Sequence, residues 1–328
     1  MSKSPKILFF DFLDGISYQK ACGSGLGSSL LKLPAFVDAS EFGYEVHLVT
    51  SYIKKKLIDD ASGIKKIYCS FENLDLSTFH TVINFGLDKD EVPEKIKNLK
   101  NYIPFSSDDF NEYKRSPHVQ FWRSFTGRAL NKIPPEEVPE IELCLESEKL
   151  IEASKILSRG NKWIALSCQS ISPLKDYCKF QKVIELLLNC DDNLKIVLLG
   201  DKEVQVNEHD RVVNLMGKTD IDLLKAIISL VKVTVGVDGL ITNIAYALQK
   251  PAVIMFSMIA PNHVLSDLSK NNLRTMVSKG CPYQFCYDKL ENYRNCGCKY
   301  LDENPGSSPL CLDFKPEEIL RSVCELLG

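Results

Sequence analysis

Residues 231–256, VKVTVGVDGLITNIAYALQKPAVIMF, decide the fold of this chain. The valine-rich run over 231–237 has the length and composition of a strand that is buried on both faces. Asp238-Gly239 interrupts the run, and an apolar segment with helical spacing then leads to Leu248. Pro251 opens a second apolar run of strand length. Strand, helix and strand in this order predict a βαβ unit with parallel strands.

The same alternation extends in both directions from this stretch, and Pro134, Pro135 and Pro139 mark a linker near the middle of the chain. We therefore predict an α/β fold of two facing Rossmann-like domains, 1–145 and 146–314, with a cleft between them and a C-terminal helix over 315–328. Predicted strands cover 6–12, 45–50, 64–69, 81–85, 162–167 and 194–200, and predicted helices cover 30–42, 146–158, 180–189 and 221–230.

Composition and charge limit the function. Hydrophobic residues make up 45% of the 328 residues and charged residues 25%, as in an ordinary globular protein. With 40 basic and 43 acidic residues the net charge is −3, which argues against nucleic acid as the main partner because a phosphate backbone requires a basic surface. The opening MSKSPKILFF is too short for a secretory core, and no apolar run reaches the roughly 20 residues of a membrane span. We expect a cytoplasmic protein whose twelve cysteines are mostly thiols.

Four segments carry motifs whose order can be compared with known families. They are GLGSSLLKLPA at 25–35, VNLMGKT at 213–219, VGVDGLITNIAYALQKP at 235–251 and CLDFKPEEI at 311–319. In this order they resemble motifs of the family-9 glycosyltransferases, the heptosyltransferase group: G-x-G-D-x-L-x-T-x-P-A, N-L-x-G-K-T, V-G-x-D-S-G-x-x-H-x-A-A-x-x-x-P, and a closing turn and helix. The resemblance is densest between Trp163 and Pro261.

The resemblance implies a GT-B type enzyme whose C-terminal helix crosses back to the first domain. It also implies inverting, metal-independent transfer of a sugar from a nucleotide-diphosphate donor, ADP-heptose or another, to a glycan, lipid-linked (lipopolysaccharide-type) or protein acceptor. The first domain would bind the acceptor and the second the donor, with no cofactor required for catalysis. From the same resemblance we expect peripheral association with the inner face of the membrane and assembly into oligomers.

The predicted donor site lies where the strands of the second domain end. A helix N-terminus binds phosphate through its free N–H groups and its dipole, and a lysine adds a positive charge where other transferases use a divalent metal. The predicted phosphate-binding residues are Ser170, Lys175, Asp238, Gly239, Thr242 and Asn243, and the predicted nucleobase or ribose site is Met216, Gly217, Lys218 and Thr219. Two plainer interpretations stay open: Asp238 and Thr242 cap the helix, and Gly217 makes an ordinary turn.

The catalytic base is where the chain departs from the family pattern. The aspartate to which the resemblance assigns deprotonation of the acceptor hydroxyl is replaced by Ser28, and a serine hydroxyl is too weak a base at neutral pH. Asp11 and Asp14, on or just after the first strand, are candidates for a relocated carboxylate, although Asp14-Gly15 is also the sequence of a simple turn. Asn243 stands where the family has histidine, and an amide cannot transfer a proton.

These departures leave two other functions open. One is a catalytically inactive binding or scaffold protein that retains affinity for a nucleotide sugar. The other is a nucleotide-sugar epimerase on the same architecture, which requires several acid–base groups in the cleft and is disfavoured by a total of five histidines. A carboxylate or histidine facing the diphosphate site would favour the transferase.

Five cysteines lie close together near the C-terminus: Cys281, Cys286, Cys296, Cys298 and Cys311. None of their spacings is the C-x2-C of a zinc knuckle. Some autotransporter heptosyltransferases hold an iron in a cysteine finger, so the resemblance implies a structural iron or zinc here. Free thiols or a disulfide are the alternative.

The later part of the first domain contains Trp122, Arg123 and Arg128. One interpretation is an exposed loop with an aromatic anchor. The other is an acceptor site, in which either arginine would form paired hydrogen bonds with an anionic group.

Overall fold

The computed structural model describes residues 4–11, 26–59, 63–86, 92–158, 162–167, 169–170, 175–265, 270–286, 298–304, 307 and 309–328. The chain divides between Cys144 and Leu145 into two compact units. A short segment that begins at Asn262 belongs with the first unit.

The first unit is built on a five-stranded parallel sheet with the order β3-β2-β1-β4-β5. From β1 the chain proceeds outward to β2 and β3, and then returns to the other side of β1 with β4 and β5. The switch point of this Rossmann-type order therefore lies between β1 and β4. The strands are β1 Lys6–Phe10, β2 Glu45–Val49, β3 Lys66–Tyr68, β4 Thr81–Asn84 and β5 Tyr102–Ile103, and the helices are α1 Leu26–Leu30, α2 Leu33–Glu41, α3 Tyr52–Ile58, α4 Glu94–Lys97, α5 Ser107–Arg115 and α6 His118–Leu130.

Aromatic rings fill the space between this sheet and its helices. Phe9 of β1 lies 4.8 Å from Phe36 of α2 and 4.9 Å from Phe85, ring centre to ring centre. Phe85 in turn lies 4.5 Å from Trp122 of α6. All four side chains are at most 1% exposed, so β1 can be apolar at nearly every position because both of its faces are covered.

Trp122 and Arg123 are therefore helical and internal, which corrects the interpretation of an exposed loop and takes Arg123 out of an acceptor site, whereas Arg128 of the same helix is half-exposed. Arg123 is 4% exposed, and its guanidinium donates to Asp38 of α2 at 2.7 and 3.1 Å. It also donates to the carbonyls of Pro135 and Glu137, at 2.7 and 2.8 Å. A buried guanidinium requires such partners, so Arg123 ties α6 to α2 and to the linker.

The second unit contains a six-stranded parallel sheet with the order β11-β10-β9-β6-β7-β8. The first strand, β6, has β7 on one side and the fourth, β9, on the other, so the switch point lies between β6 and β9. The strands are β6 Lys162–Ser167, β7 Leu194–Leu198, β8 Val212–Asn214, β9 Val233–Val237, β10 Ala252–Phe256 and β11 Leu273–Val277, and the helices are α7 Ser147–Ile156, α8 Phe180–Cys190, α9 Ile221–Leu230, α10 Leu240–Ala247, α12 Lys299–Glu303 and α13 Pro316–Leu327. The short helix α11, Pro261–Val264, continues from this unit into the segment that belongs with the first.

The C-terminal helix α13 packs on the second unit, whereas the sequence resemblance implied that it returns to the first. Its apolar stripe includes Ile319 and Val323, both fully buried in one core cluster with Val183 and Leu187 of α8. Its main contacts are with α8, β9 and β10. An amphipathic helix is fixed by whichever apolar surface covers its stripe, and here that surface belongs to its own unit.

None of the helices in the described part of the chain is long and apolar enough to cross a membrane.

Candidate functional site

The candidate site lies at the carboxyl edge of the second sheet, beside the switch point. Lys175 follows β6, and Asp238 follows β9 directly. The ammonium group of Lys175 donates to Oδ2 of Asp238 at 2.8 Å. The side chains are 12% and 7% exposed, respectively. Open α/β sheets bind ligands in the crevice outside the carboxyl ends of their strands, at the switch point. The ion pair comes from the segments that follow the two strands flanking this crevice, so it lies where a ligand is expected.

The turn between β9 and α10 presents the N-terminus of the helix at this edge. The Gly239 N–H donates to Oγ1 of Thr242 at 3.1 Å, and the Thr242 hydroxyl lies 3.1 Å from the Gly239 carbonyl and 3.2 Å from that of Val237. Thr242 is fully buried. Its hydroxyl is used within the turn, so Thr242 closes the first turn of α10 and does not present its side chain as a ligand donor.

Two glycines shape this turn differently. A Cβ on Gly236 of β9 would lie 2.8 Å from the Ser167 carbonyl oxygen of β6 and 3.2 Å from Thr242 Cγ2. Among the residues that the structure describes, a Cβ on Gly239 would meet nothing closer than the Val237 carbonyl oxygen, at 3.8 Å. Gly236 therefore lets strand and helix pack closely, while Gly239 leaves open space beside the helix N-terminus, where a ligand can approach the backbone.

The other predicted phosphate-binding residues lie on the same edge. Ser170 follows β6, and its N–H donates to Oδ1 of Asp176 at 3.0 Å. Asn243 lies in the first turn of α10 and is 7% exposed. Gln169 connects neighbouring loops, because its Oε1 accepts from the N–H of Lys202, after β7, at 3.3 Å.

The turn after β8 contains the predicted nucleobase site, Met216 to Thr219. Gly217 adopts φ +70°, in the left-handed region that favours glycine, and its N–H donates to the Gly200 carbonyl at 2.8 Å. The Met216 side chain is 1% exposed and belongs to the core. Lys218 points outward, 3.6 Å from Glu203. The N–H groups of Met216 and Lys218 are also bonded, to Asn214 Oδ1 and to the Leu215 carbonyl, each at 3.0 Å. The exposed surface of this turn is therefore that of Gly217 and Lys218, and the Met216 side chain is not available to a ligand.

The carboxyl edge of the first sheet holds a different set of charges. Asp11, directly after β1, accepts from Lys32 at 2.6 Å and from Lys54 of α3 at 2.9 Å. Lys32 also donates to the Phe85 carbonyl, after β4, at 2.9 Å, and its ammonium group lies 4.8 Å from the Trp122 ring. Asp11 is 3% exposed and each lysine 1%. This group of three side chains, the Asp11 cluster, spans the switch point of the first sheet.

The electrostatics of the Asp11 cluster do not suit a general base. Burial alone would raise the pKa of Asp11, but the charges and hydrogen bonds of Lys32 and Lys54 lower it, and the result lies below the usual 3.8. A carboxylate with a lowered pKa is a poor proton acceptor near neutral pH. Sequence reasoning missed both lysines, although Lys32 interrupts the apolar run SLLKLPAF, and a lysine in apolar surroundings needs a partner.

Four of the five clustered cysteines line one small cavity of about 20 Å³. Its lining residues are Ser257, Met258, Cys281, Tyr283, Cys286, Cys298, Pro309 and Cys311. Burial, and then the neighbouring thiols Cys281, Cys298 and Cys286, raise the pKa of Cys311 to about 12. Four sulfur donors suit iron or zinc chemically. Within the described residues, however, no three His, Cys, Asp or Glu side chains are arranged to hold a metal ion, and Cys296 lies outside those residues.

Comparison with protein families identifies the chain. Residues 94–292 match the model of glycosyltransferase family 9 (heptosyltransferase). The chain belongs to glycosyltransferase family 9. The match begins in the first unit and runs through the whole candidate site of the second. It confirms the family indicated by the sequence motifs. No curated protein matches the chain in sequence.

Solved structures of family-9 glycosyltransferases share the fold. A family-9 transferase from Veillonella parvula superposes with a TM-score of 0.69 at 11% identity, over 98% of this chain and 97% of that one. E. coli ADP-heptose LPS heptosyltransferase II gives 0.64 at 13%, over 98% of both chains. The iron-containing dodecameric heptosyltransferase TibC, in complex with ADP-D-beta-D-heptose, gives 0.64 at 13%, over 100% of this chain and 77% of that one. At these identities the likeness shows the fold, and it confirms an α/β chain with two Rossmann-like domains.

Ser28, to which the sequence resemblance assigned the position of the family's aspartate, lies on α1. Ser28 is half-buried, and its carbonyl accepts from the Leu31 N–H at 3.2 Å. Asp14, the other predicted carboxylate, lies outside the described residues.

Proposed function

We propose that this protein transfers a sugar from a nucleotide-diphosphate donor, ADP-heptose or a related sugar nucleotide, to a glycan, lipopolysaccharide-type or protein acceptor. The reaction inverts the anomeric centre and proceeds without a catalytic metal. The observation that carries this proposal is the Lys175–Asp238 pair beside the N-terminus of α10, at the switch point of the second sheet.

The candidate site suits the departure of a nucleotide diphosphate. Negative charge develops on the diphosphate as the sugar leaves, and preformed donors stabilise that charge. Lys175 would share its ammonium group between Asp238 and a phosphate oxygen, while the first N–H groups of α10 would point at the other oxygens. Before the donor binds, the Asp238 carboxylate would hold the Lys175 side chain in position and offset its positive charge. Ser170 and Asn243 would complete the phosphate site, and Gly217, Lys218 and Thr219 would border the nucleoside.

Asp14 is the carboxylate that we propose as the acceptor-activating base. Asp11 is paired with two lysines and has a lowered pKa, and Ser28 lacks sufficient basicity. Asp14 follows β1 in sequence by four residues, and the acceptor is proposed to bind in the unit that contains β1.

The second candidate function is a catalytically inactive binding protein. It is favoured by Ser28 at the family's aspartate position and by the engagement of Asp11 in the Asp11 cluster. Such a protein would keep the donor site of the second unit and lack turnover.

Two measurements distinguish these functions. The first is a thermal-shift screen of nucleotide sugars and nucleoside diphosphates. We expect at least one of these compounds, with adenosine or another nucleoside, to raise the melting temperature. The best donor is then assayed for release of its nucleoside diphosphate with and without acceptor glycans. For a transferase, Asp14→Asn lowers kcat by about 100-fold or more with unchanged donor affinity, and the exposed-site control Asp59→Asn does not. Donor binding without turnover supports the binding protein, and the lack of any nucleotide binding contradicts both.

The cysteine cavity carries a separate proposal, a structural iron or zinc held by thiolates of the cluster. Elemental analysis of the purified protein, and of Cys311→Ser with Cys144→Ser as control, tests it. A stoichiometric metal that is lost only in Cys311→Ser supports the metal site. Metal-free protein whose cysteines all react with a thiol reagent after unfolding shows free thiols instead. We further propose that the protein acts in the cytoplasm, at the membrane face when its acceptor is lipid-linked.

A further inference from the structure

Hydrogen bonds join three neighbouring loops at the carboxyl edge of the second sheet. The loops follow β6, β7 and β8, which lie side by side in that order. Gln169, two residues after β6, accepts the Lys202 N–H of the next loop on its side-chain Oε1, at 3.3 Å. In that next loop the Gly200 carbonyl accepts from the Gly217 N–H, after β8, at 2.8 Å. The Gln169 side chain is therefore one link in a continuous series of contacts along this edge.

Gly200 makes room for the Gln169 amide group. A Cβ on Gly200 would lie 2.9 Å from Oε1 of Gln169 and 3.8 Å from its Cδ, and 3.6 Å from Cγ of Met216. The first of these distances is too short for a carbon atom beside an oxygen, so the amide would have to move. The amide thus lies directly against the backbone of the loop after β7, where a side chain at position 200 would displace it.

The bond to Lys202 also fixes how the Gln169 amide is turned. Only the oxygen of the amide can accept an N–H, so the –NH2 group lies on the side away from the Lys202 N–H. That group carries two N–H donors, and among the residues that the structure describes none accepts from it. Gln169 is partly exposed. A donor held in a fixed orientation at an accessible edge can orient a polar ligand.

The place of Gln169 along the edge indicates which part of a nucleotide it meets. From β9 to β8 the edge is three strand spacings wide, about 14 Å. The N-terminus of α10, where we propose that phosphate binds, follows β9, and the proposed nucleobase site follows β8. The ribose of a nucleotide joins its phosphates to its base. A nucleotide laid along the edge therefore places its ribose beside the loops after β6 and β7, where the Gln169 amide lies.

We propose that Gln169 is a specificity-determining residue of the donor site, and that its –NH2 group donates a hydrogen bond to a ribose hydroxyl oxygen of the bound nucleotide. This role rests on the proposed function, since it takes the second edge to bind a nucleotide diphosphate. It adds that the site selects ribonucleotides over deoxyribonucleotides, which lack one hydroxyl acceptor. Gly200 and Lys202 are positioning residues, because they hold the amide in place without touching the nucleotide through their side chains.

The test is calorimetric titration of the full chain with whichever of ADP, GDP, UDP and CDP binds best, and with its 2′-deoxy and 3′-deoxy forms. We expect the wild type to bind the ribonucleotide about 10-fold more tightly than one of the two deoxy forms. Gln169→Leu should bind the ribonucleotide about 10-fold more weakly and that deoxy form as the wild type does, so that the preference disappears. Gly200→Ala, which displaces the amide, should reduce the preference in the same direction.

The matched control is Gln181→Leu. Oε1 of Gln181, on α8, also accepts a backbone N–H at 3.3 Å, that of Asn207, so this variant loses a hydrogen bond of the same kind and length outside the candidate site. It should keep both the affinity and the preference of the wild type. A merely structural role of Gln169 would weaken binding of the ribonucleotide and the deoxy forms equally in Gln169→Leu, and an equal loss overturns the proposal.

Two further results overturn the ribose contact alone. One is a wild type that binds the ribonucleotide and both deoxy forms equally, and the other is a Gln169→Leu variant that keeps the wild-type preference, while Lys175→Ala still weakens binding. If none of the four diphosphates binds, the proposed function fails and the ribose contact fails with it.

Discussion

The two sheets have the same parallel order around their switch points, yet their carboxyl edges carry opposite arrangements of charge. On the first sheet, one carboxylate holds two lysines, and all three side chains are almost fully buried. On the second sheet, one lysine and one carboxylate pair beside a helix N-terminus and keep partial exposure. The side chains of the first edge are paired with one another and buried, while at the second edge we propose that Lys175 shares its ammonium group with a ligand.

The difference shows that an equivalent position in a fold does not fix a role. Ligands favour the switch point of any such sheet because loops from neighbouring strands diverge there. At the first switch point, Lys32 fills this space by joining Asp11 to the Phe85 carbonyl across β1 and β4. At the second, Gly239 leaves space beside the chain. We therefore propose a structural anchoring role for the Asp11 cluster, and ligand binding by Lys175 and Asp238 remains the proposal to be tested.

The sharpest test of the closed edge is Asp11→Ala. Removing the carboxylate leaves Lys32 and Lys54 buried without their anion, and breaking a buried ion pair in this way costs about 3–5 kcal/mol. Urea unfolding measures the loss. The control is Glu185→Ala, which breaks the exposed pair with Lys182 and should cost less than about 1 kcal/mol. Equal, small losses in the two variants would mean that the Asp11 cluster does not anchor the first unit.

The pH dependence of that effect follows from the lowered pKa of Asp11. A carboxylate with a lowered pKa in the folded state contributes stability above its unfolded pKa, here 3.8, and loses it as the pH falls through the folded value. The stability difference between the wild type and Asp11→Asn should therefore be constant from pH 7 to about pH 4 and shrink only at lower pH. A difference that shrinks between pH 7 and pH 5 contradicts the lowered pKa.

Gly236→Ala should have the next largest effect. The new methyl group would press on the Ser167 carbonyl and on Thr242, and overpacking of this kind costs about 1–3 kcal/mol. Gly239→Ala is the matched control, since its methyl group meets open space. We expect Gly239→Ala to retain the wild-type melting temperature while weakening nucleotide binding. If Gly239→Ala binds nucleotide as the wild type does, no ligand approaches that backbone.

Gly217→Ala should have the smallest effect on folding. Its φ of +70° costs a residue with a Cβ about 1–2 kcal/mol. Gly217→Asn should recover part of this loss, because asparagine tolerates the left-handed region. Thermal unfolding of the two variants measures both effects, and equal stability of Ala and Gly at this position would argue against the turn.

The fold could be predicted because its signals are local. Valine-rich runs, glycine turns and helical spacing each depend on a few neighbouring residues, and they indicated two Rossmann-like domains before any contact was known. The motif at 235–251 also placed Asp238 and Gly239 between a strand and a helix, as the structure has them.

The rest depended on long-range partners that a sequence does not name. The stripe of Ile319 and Val323 predicted a packed helix but not the surface that covers it. The role of Thr242 was open between cap and ligand donor until its full burial was known. The partners of Asp11 come from positions 21 and 43 residues away, and nothing in the local sequence of Lys54 indicates that it is buried.

The central claim, that the second edge binds a nucleotide diphosphate through Lys175, is tested most directly by calorimetric titration of the best-binding nucleotide from the screen. For Lys175→Ala and Asp238→Ala, each first confirmed as folded by thermal unfolding, we predict weaker binding, by about 10- to 100-fold for loss of the lysine. The control Lys179→Ala, whose ammonium group pairs with Asp313, should bind as the wild type does. Unchanged affinity in both site variants would contradict the account.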